Sequence, residues 1–187
     1  IGEEVMEQAL RVLHAVAKRA QVEFETEKGF VGGAGYDRYG SHFPDETRAL
    51  CERSDAILFG SVGGPVSEMH LPKWKGCETN SILAIRKAFE FHANFRPVKV
   101  FAGMEELCPL RADILAKGVD MLFVRELLGD IYFGEHKTET VNGKRRAVDV
   151  AEYDEDGIAA VAHVAFRAAR KRRNKVTSVD KANVLDT

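Results

Sequence analysis

The chain has 187 residues, is 45% hydrophobic and 30% charged, and carries a net charge of −2. These values fit one compact domain or two small ones and exclude a disordered chain. They give no overall pull toward nucleic acid or an anionic membrane, and no stretch approaches the roughly 20 apolar residues that cross a bilayer. The three cysteines, Cys51, Cys77 and Cys108, show no C-x-x-C spacing. That argues against a disulfide framework or a zinc finger and for a reducing cytosol. The first residue is Ile1 rather than Met, and Val176 to Thr187 read as a strand followed by the start of another element. Both features predict a portion of something longer.

Residues 4 to 20 place Val5, Met6, Ala9, Leu10, Leu13, Val16 and Ala17 at helical spacing, one apolar stripe with charges opposite. Val22, Phe24 and Thr26 alternate with glutamates and predict a half-exposed strand. Gly29 to Gly40 holds five glycines and predicts an irregular loop. Pro44, Asp45 and Glu46 open a short helix, since proline suits a first turn and acidic side chains complement the helix dipole. The apolar run 56–59, closed by Gly60, predicts a strand buried on both faces.

The alternation then repeats. A helix is predicted over 81–92, with Ile82, Ile85 and Phe89 on one face and Leu83 beside them. A strand follows at 98–101, a helix at 110–117 ended by Gly118, and an apolar strand at 119–124. Asn142-Gly143 between alternating residues signals a hairpin within 135–150. A long helix over 154–173 and a strand at 176–179 complete the pattern. Strands alternating with helices predict an α/β fold, with the hairpin as an insertion.

Candidate chemistry begins with arginine. Arg86 lies on the 81–92 helix, Arg96 just before a strand, and Arg125 just past one, where α/β sheets place their ligands. Guanidinium matches carboxylate two bonds at a time, so the three side chains together suit a small di- or tricarboxylate. By spacing alone, three surface ion pairs explain them as well. Tyr132 beside guanidinium groups has the chemistry of a proton donor, although a strand tyrosine packing its ring is the ordinary reading. Lys181 becomes a base only if burial or neighbouring cations lower its pKa. Gly60 to Pro65 is a glycine-rich turn, but neither a dinucleotide fingerprint nor a P-loop. The six histidines show no metal spacing. Arg167 to Lys175 holds six basic residues in nine, which complements a helix C-terminus.

Several longer segments carry a resemblance. Residues 78–87, with Asn94-Phe95-Arg96-Pro97, Val124-Arg125-Glu126-Leu127, Ile131-Tyr132-Phe133-Gly134 and residues 176–185, resemble the isocitrate/isopropylmalate family of β-decarboxylating dehydrogenases, its isopropylmalate branch above all. Ile1-Gly2 followed by Glu4 resembles the end of that family's N-terminal turn, with Glu3 where Pro is usual. The resemblance covers the whole chain. It implies the family's mixed sheet flanked by helices with a β-hairpin arm, incomplete here at both ends. Residues 1–97 would be part of a first α/β domain. Residues 98–187 would be a second, with a dimerisation arm at about 135–150.

The implied activity is NAD-dependent oxidation and decarboxylation of 3-isopropylmalate to 2-oxoisocaproate in leucine biosynthesis, with Mg²⁺ or Mn²⁺. Arg86, Arg96 and Arg125 would hold the malate carboxylates. Tyr132 would supply the proton after decarboxylation. Lys181 would act as base and Asn183 would approach the nicotinamide, both across a homodimer interface. Glu78 and Ile1 would contact the nicotinamide-ribose part of NAD. Ile82 and Leu83, four and three residues before Arg86, would neighbour the group on C3 of the substrate. Isocitrate enzymes place a Ser-x-Asn pair near this turn; here Asn80 and Ile82 stand instead. A carboxylate buried against two aliphatic chains is costly, so isopropyl is the expected group, with tartrate, homoisocitrate and isocitrate as alternatives. The family's metal-binding aspartates would lie beyond Thr187. The 187 residues alone are therefore expected to be inactive, or to act only by pairing with a partner chain.

Overall fold

A computed structural model describes residues 2–185. The chain forms two compact units, Ile1–Phe89 and Glu90–Thr187; a division at 97/98 would cut a strand of the second.

The first unit is helical. Helix α1, Gly2–Ala20, carries Glu3 and Glu4 in its first turn and Lys18 and Arg19 in its last, the charge order that its dipole favours. It ends where Gln21 enters the left-handed region (φ 56°) and the Val22 N–H donates to the Ala17 carbonyl at 3.0 Å, a Schellman-type closure. The predicted strand 22–26 forms no ladder among the described residues, and Val22 and Phe24 are exposed. The glycine-rich 29–40 segment is not an irregular loop. It contains helix α2, Gly32–Tyr39. A Cβ on Gly33 would stand 2.3 Å from the Trp74 ring, and one on Gly64 would stand 2.4 Å from it. The glycines therefore let backbone close on both sides of the indole, and that packing outweighs their poor helix propensity.

Further ties hold Trp74 in place. Its indole N–H donates to Glu68 at 2.9 Å, and His42 Nε2 donates to the Lys73 carbonyl at 2.8 Å. Lys73 also pairs with Asp37. Helix α3, Asp45–Arg53, is anchored by Thr47, whose hydroxyl donates to the Phe30 carbonyl at 2.9 Å and accepts the Phe30 N–H at 3.2 Å. Residues 56–59 form no ladder among the described residues, and Ile57 and Leu58 are exposed. An apolar run specifies burial, and without a neighbouring strand it does not become sheet.

The predicted 81–92 helix is shorter and interrupted. A π-helical turn, Thr79–Leu83, leads into α4, Ala84–Ala88, and the chain turns away at Glu90 (φ 49°). Ser81 is completely buried and donates to the Cys77 carbonyl, with Cys77 and Ile85 buried beside it in the chain.

The second unit is built on an antiparallel pair, β1 (Ala93–Lys99) and β2 (Asp120–Glu126). β1 begins five residues before the predicted strand start at 98. Helix α5, Ala112–Leu115, lies between them in sequence. Helix α6, Glu155–Arg170, packs against β2 and β1. It covers one face only: Leu122 and Val124 are half-buried, whereas Met121 and Phe123 are exposed. The Asp154 carboxylate caps α6 by accepting the Gly157 N–H at 2.7 Å. The helix stops at Arg170 rather than Arg173. Arg172 and Arg173 turn back onto Asp120, with Arg172 at 2.7 Å and Arg173 at 3.6 Å. Part of the basic run therefore holds the start of β2. Residues 176–179 form no ladder among the described residues, and Val179 is 88% exposed.

The hairpin is as predicted: β3 (His136–Val141) pairs with β4 (Lys144–Asp149). Asn142 (φ 51°) and Gly143 (φ 75°) form its turn, both in the left-handed region that a type I′ turn demands. Helices, small sheets and the hairpin arm together make the expected mixed α/β fold.

Two stability measurements check this reading. Asp154→Ala should lower unfolding stability by about 1 kcal/mol, and Asp154→Asn should restore most of it. Arg172 beside Asp120 holds that carboxyl below its ordinary value. Its contribution is then complete above the ordinary carboxylate pKa and lost as pH falls through the lowered one. Asp120→Asn should flatten stability against pH below about pH 4; an unchanged acid slope would contradict the pairing.

Candidate active site

Within the second unit the β1–β2 register assembles three of the predicted residues. Asn94 stands opposite Arg125, and Arg96 stands opposite Phe123. Directly paired residues share a sheet face, as do residues two apart on a strand. Arg96, Asn94 and Arg125 therefore occupy one face, opposite the face that carries Leu122 and Val124. Arg96 Nε donates to the Asn94 Oδ1 at 2.7 Å, which fixes the guanidinium beside the strand. The Arg125 guanidinium lies over the Tyr132 ring, 5.2 Å from its centroid, at cation–π distance. Tyr132 itself is exposed.

The electrostatics bear on the two readings of the arginines. Among the described residues, Arg86, Arg96 and Arg125 take part in no ion pair, although many other arginines do. The nearest-sequence carboxylate, Glu126, is already engaged: it accepts the Leu128 N–H at 2.6 Å and the Gly129 N–H at 2.9 Å. Two uncompensated guanidinium groups on one exposed sheet face present bidentate donors to an incoming carboxylate.

The first unit holds a second group. Glu78, Ile82, Leu83 and Arg86 follow one another along the π-helical turn and α4. The π turn arises where the Leu83 N–H reaches back five residues to the Glu78 carbonyl at 3.2 Å. Such turns are frequent at functional sites. Ile82, Leu83 and Arg86 are half-buried, and Glu78 is exposed. The Glu78 carboxylate lies against the glycine-rich turn, 3.5 Å from where a Cβ on Gly63 would stand.

Lys181 and Asn183 lie after α6 in a short exposed turn, in which the Val184 N–H donates to the Lys181 carbonyl at 2.9 Å. Ile1 lies outside the described residues. Among the described residues no group of three or more His, Cys, Asp or Glu stands together at metal-holding distance, and no helix is long and apolar enough to cross a membrane.

Two residues had no assigned role in the sequence reading. Asn94 sits inside a recognised motif, and its signal is the two-residue strand spacing to Arg96. Tyr153 gave no such signal. Burial first, then the nearby Asp130 carboxylate, raises its pKa; that neighbour is met only in three dimensions.

The family model for isocitrate/isopropylmalate dehydrogenase matches residues 1–187. The chain is 50% identical over its whole length to the 3-isopropylmalate dehydrogenases of Photorhabdus laumondii, Yersinia pestis and Escherichia coli K12, and covers 52% of each. It thus spans about half the length of the curated relatives it matches. Among solved structures, the TT0538 protein from Thermus thermophilus superposes with a TM-score of 0.64 at 26% identity, over 91% of this chain and 30% of that one. The isocitrate dehydrogenase from Methylococcus capsulatus superposes with a TM-score of 0.67 at 22% identity, over 86% of this chain and 43% of that one, a likeness of fold. The chain belongs to the isocitrate/isopropylmalate dehydrogenase family.

Proposed function

We propose that the protein carrying this chain is an NAD-dependent dehydrogenase that oxidises and decarboxylates 3-isopropylmalate to 2-oxoisocaproate in leucine biosynthesis. It works as a cytoplasmic homodimer with Mg²⁺ or Mn²⁺. The observation that carries the reading is the pair Arg96 and Arg125 on one exposed sheet face, with Tyr132 under Arg125 and no carboxylate among the described residues neutralising either cation. The names of the relatives supply the substrate.

In this reading Arg96 and Arg125 bind malate carboxylates, with Asn94 orienting the first and the Tyr132 ring the second. Arg86 completes the carboxylate contacts. Ile82 and Leu83 meet the isopropyl group, where apolar contact is favourable and a third carboxylate would be stranded. Glu78, with no side chain facing it from Gly63, offers an open acceptor for ribose hydroxyls; by the family resemblance Ile1 also contacts the nicotinamide-ribose part, and Asn183 of the partner subunit approaches the nicotinamide. NAD, when bound, supplies the hydride acceptor. Lys181, reaching in from the partner subunit, takes the proton of the C2 hydroxyl. The bond to the β-carboxyl then breaks and CO₂ leaves. Tyr132 returns a proton to the carbon left behind, which closes the reaction. The described residues do not present a carboxylate set fit for a divalent cation, so no step is assigned to one. The hairpin 136–149 is the proposed interlocking arm of the dimer, and residues before and after it belong to the second family domain.

The test is NADH formation by the enzyme with 3-isopropylmalate, isocitrate, homoisocitrate and tartrate. The expected result is a kcat/KM for 3-isopropylmalate at least about a hundredfold above isocitrate and homoisocitrate, the scale that a stranded buried carboxylate imposes, and also above tartrate, which lacks the aliphatic group that Ile82 and Leu83 would meet. Preference for isocitrate would overturn the assignment. Leu83→Ser should raise KM for 3-isopropylmalate by roughly tenfold, in line with loss of one aliphatic contact, while an unchanged KM would remove Leu83 from the pocket.

A further inference from the structure

Tyr132 lies on the turn 129–134, and main-chain contacts fix where that turn sits. The Asp130 N–H donates to the Glu152 carbonyl at 2.9 Å. The Asp130 carbonyl accepts the N–H groups of Phe133 and Gly134, each at 3.3 Å, so it closes the turn around Tyr132. Asp130 holds a left-handed conformation (φ 70°), which Asp tolerates better than most side chains. At the other end, Gly134 presses on the backbone leaving the hairpin. A Cβ there would stand 1.9 Å from the Val150 carbonyl oxygen, far inside any real contact. The Val150 N–H in turn donates to the Glu135 carbonyl at 3.0 Å. A Cβ on Gly129 would stand 2.8 Å from the Glu152 carbonyl oxygen and 3.0 Å from the Tyr153 ring, so the near end of the turn is also seated on main chain.

We propose that Gly134 and Asp130 are positioning residues for Tyr132, seating its turn on the backbone at 150–153 so that the phenol stays under Arg125. The catalytic part of this inference rests on the dehydrogenase reading above; the positional part does not. A side chain at 134 cannot be absorbed by a rotamer change, because the obstacle is main chain. The turn must shift, and a misplacement of about 1 Å at a reacting group costs up to a hundredfold in rate. A side chain at 129 meets the Glu152 carbonyl at 2.8 Å, a milder clash that lifts the other end of the same turn and should cost roughly fivefold.

The experiment compares wild type, Gly134→Ala and Gly129→Ala in the intact enzyme, with tyrosines carrying ¹³C at Cζ and the Tyr132 resonance assigned by its loss in Tyr132→Phe. The expected result is a moved Tyr132 resonance in both variants. kcat should fall at least about tenfold in Gly134→Ala and roughly fivefold in Gly129→Ala, with a smaller rise in KM because Arg96 and its Asn94 partner are untouched. If Gly134→Ala does not fold, Gly129→Ala still decides. Unmoved resonances with wild-type kcat would overturn the proposal. If wild type does not oxidise 3-isopropylmalate, the dehydrogenase reading fails, while the resonance shifts still report whether the turn is seated as proposed.

Discussion

Positive charge left unneutralised on one face of a two-stranded sheet is the constraint from which the functional reading follows. Antiparallel register places Asn94 opposite Arg125 and Arg96 two positions along. A strand pair that carried these arginines as surface decoration would be expected to offer them carboxylates, as the hairpin does for Arg146 through Glu139 and as β2 does for Arg172 through Asp120. The site face offers an amide and an aromatic ring instead. Both orient a guanidinium without cancelling its charge, so the proposed ligand carboxylate finds the donor forks open.

The second unit is arranged to keep that face open. Helix α6 covers the opposite side of the sheet and is held there by its own ends: Asp154 caps the start, and the arginines beyond Arg170 grip Asp120. Glu126, the one acid next to Arg125 in sequence, spends both oxygens on the backbone of the following turn. That turn carries Tyr132 back beneath Arg125 and is stitched to the stretch leaving the hairpin. Turn and hairpin exit are thus tied through their main chains. In the first unit, a π turn leads into α4; Ser81 and Ile85 are buried there, while Ile82, Leu83 and Arg86 are half-buried.

What the sequence made legible was local. The amphipathic stripe of α1 and the Asn142-Gly143 turn each depend on a few neighbouring residues, and each formed as read. The arginines and Tyr132 were legible as candidates because their motifs are long, yet spacing could not say whether they were paired; only the register and the absence of ion partners among the described residues did. Strands at 22–26, 56–59 and 176–179 were misread because an apolar or alternating pattern specifies a face, whereas a ladder also needs a partner strand. Helix α2 was misread for the opposite reason. Its glycines signal a loop by propensity, but Trp74 needs them as a flat surface, and that demand comes from a distant part of the sequence. Asp130 and Tyr153 meet across a similar kind of gap.

The most direct measurement is calorimetric binding of 3-isopropylmalate to the enzyme and to its Arg96→Gln, Arg125→Gln double variant, in the presence of Mg²⁺. If the open guanidinium pair holds the substrate carboxylates, affinity should fall by at least about a hundredfold, the loss of two charge-assisted contacts, and the dependence of binding on ionic strength should weaken with it. Equal affinity in the two proteins would show that the carboxylates are held elsewhere.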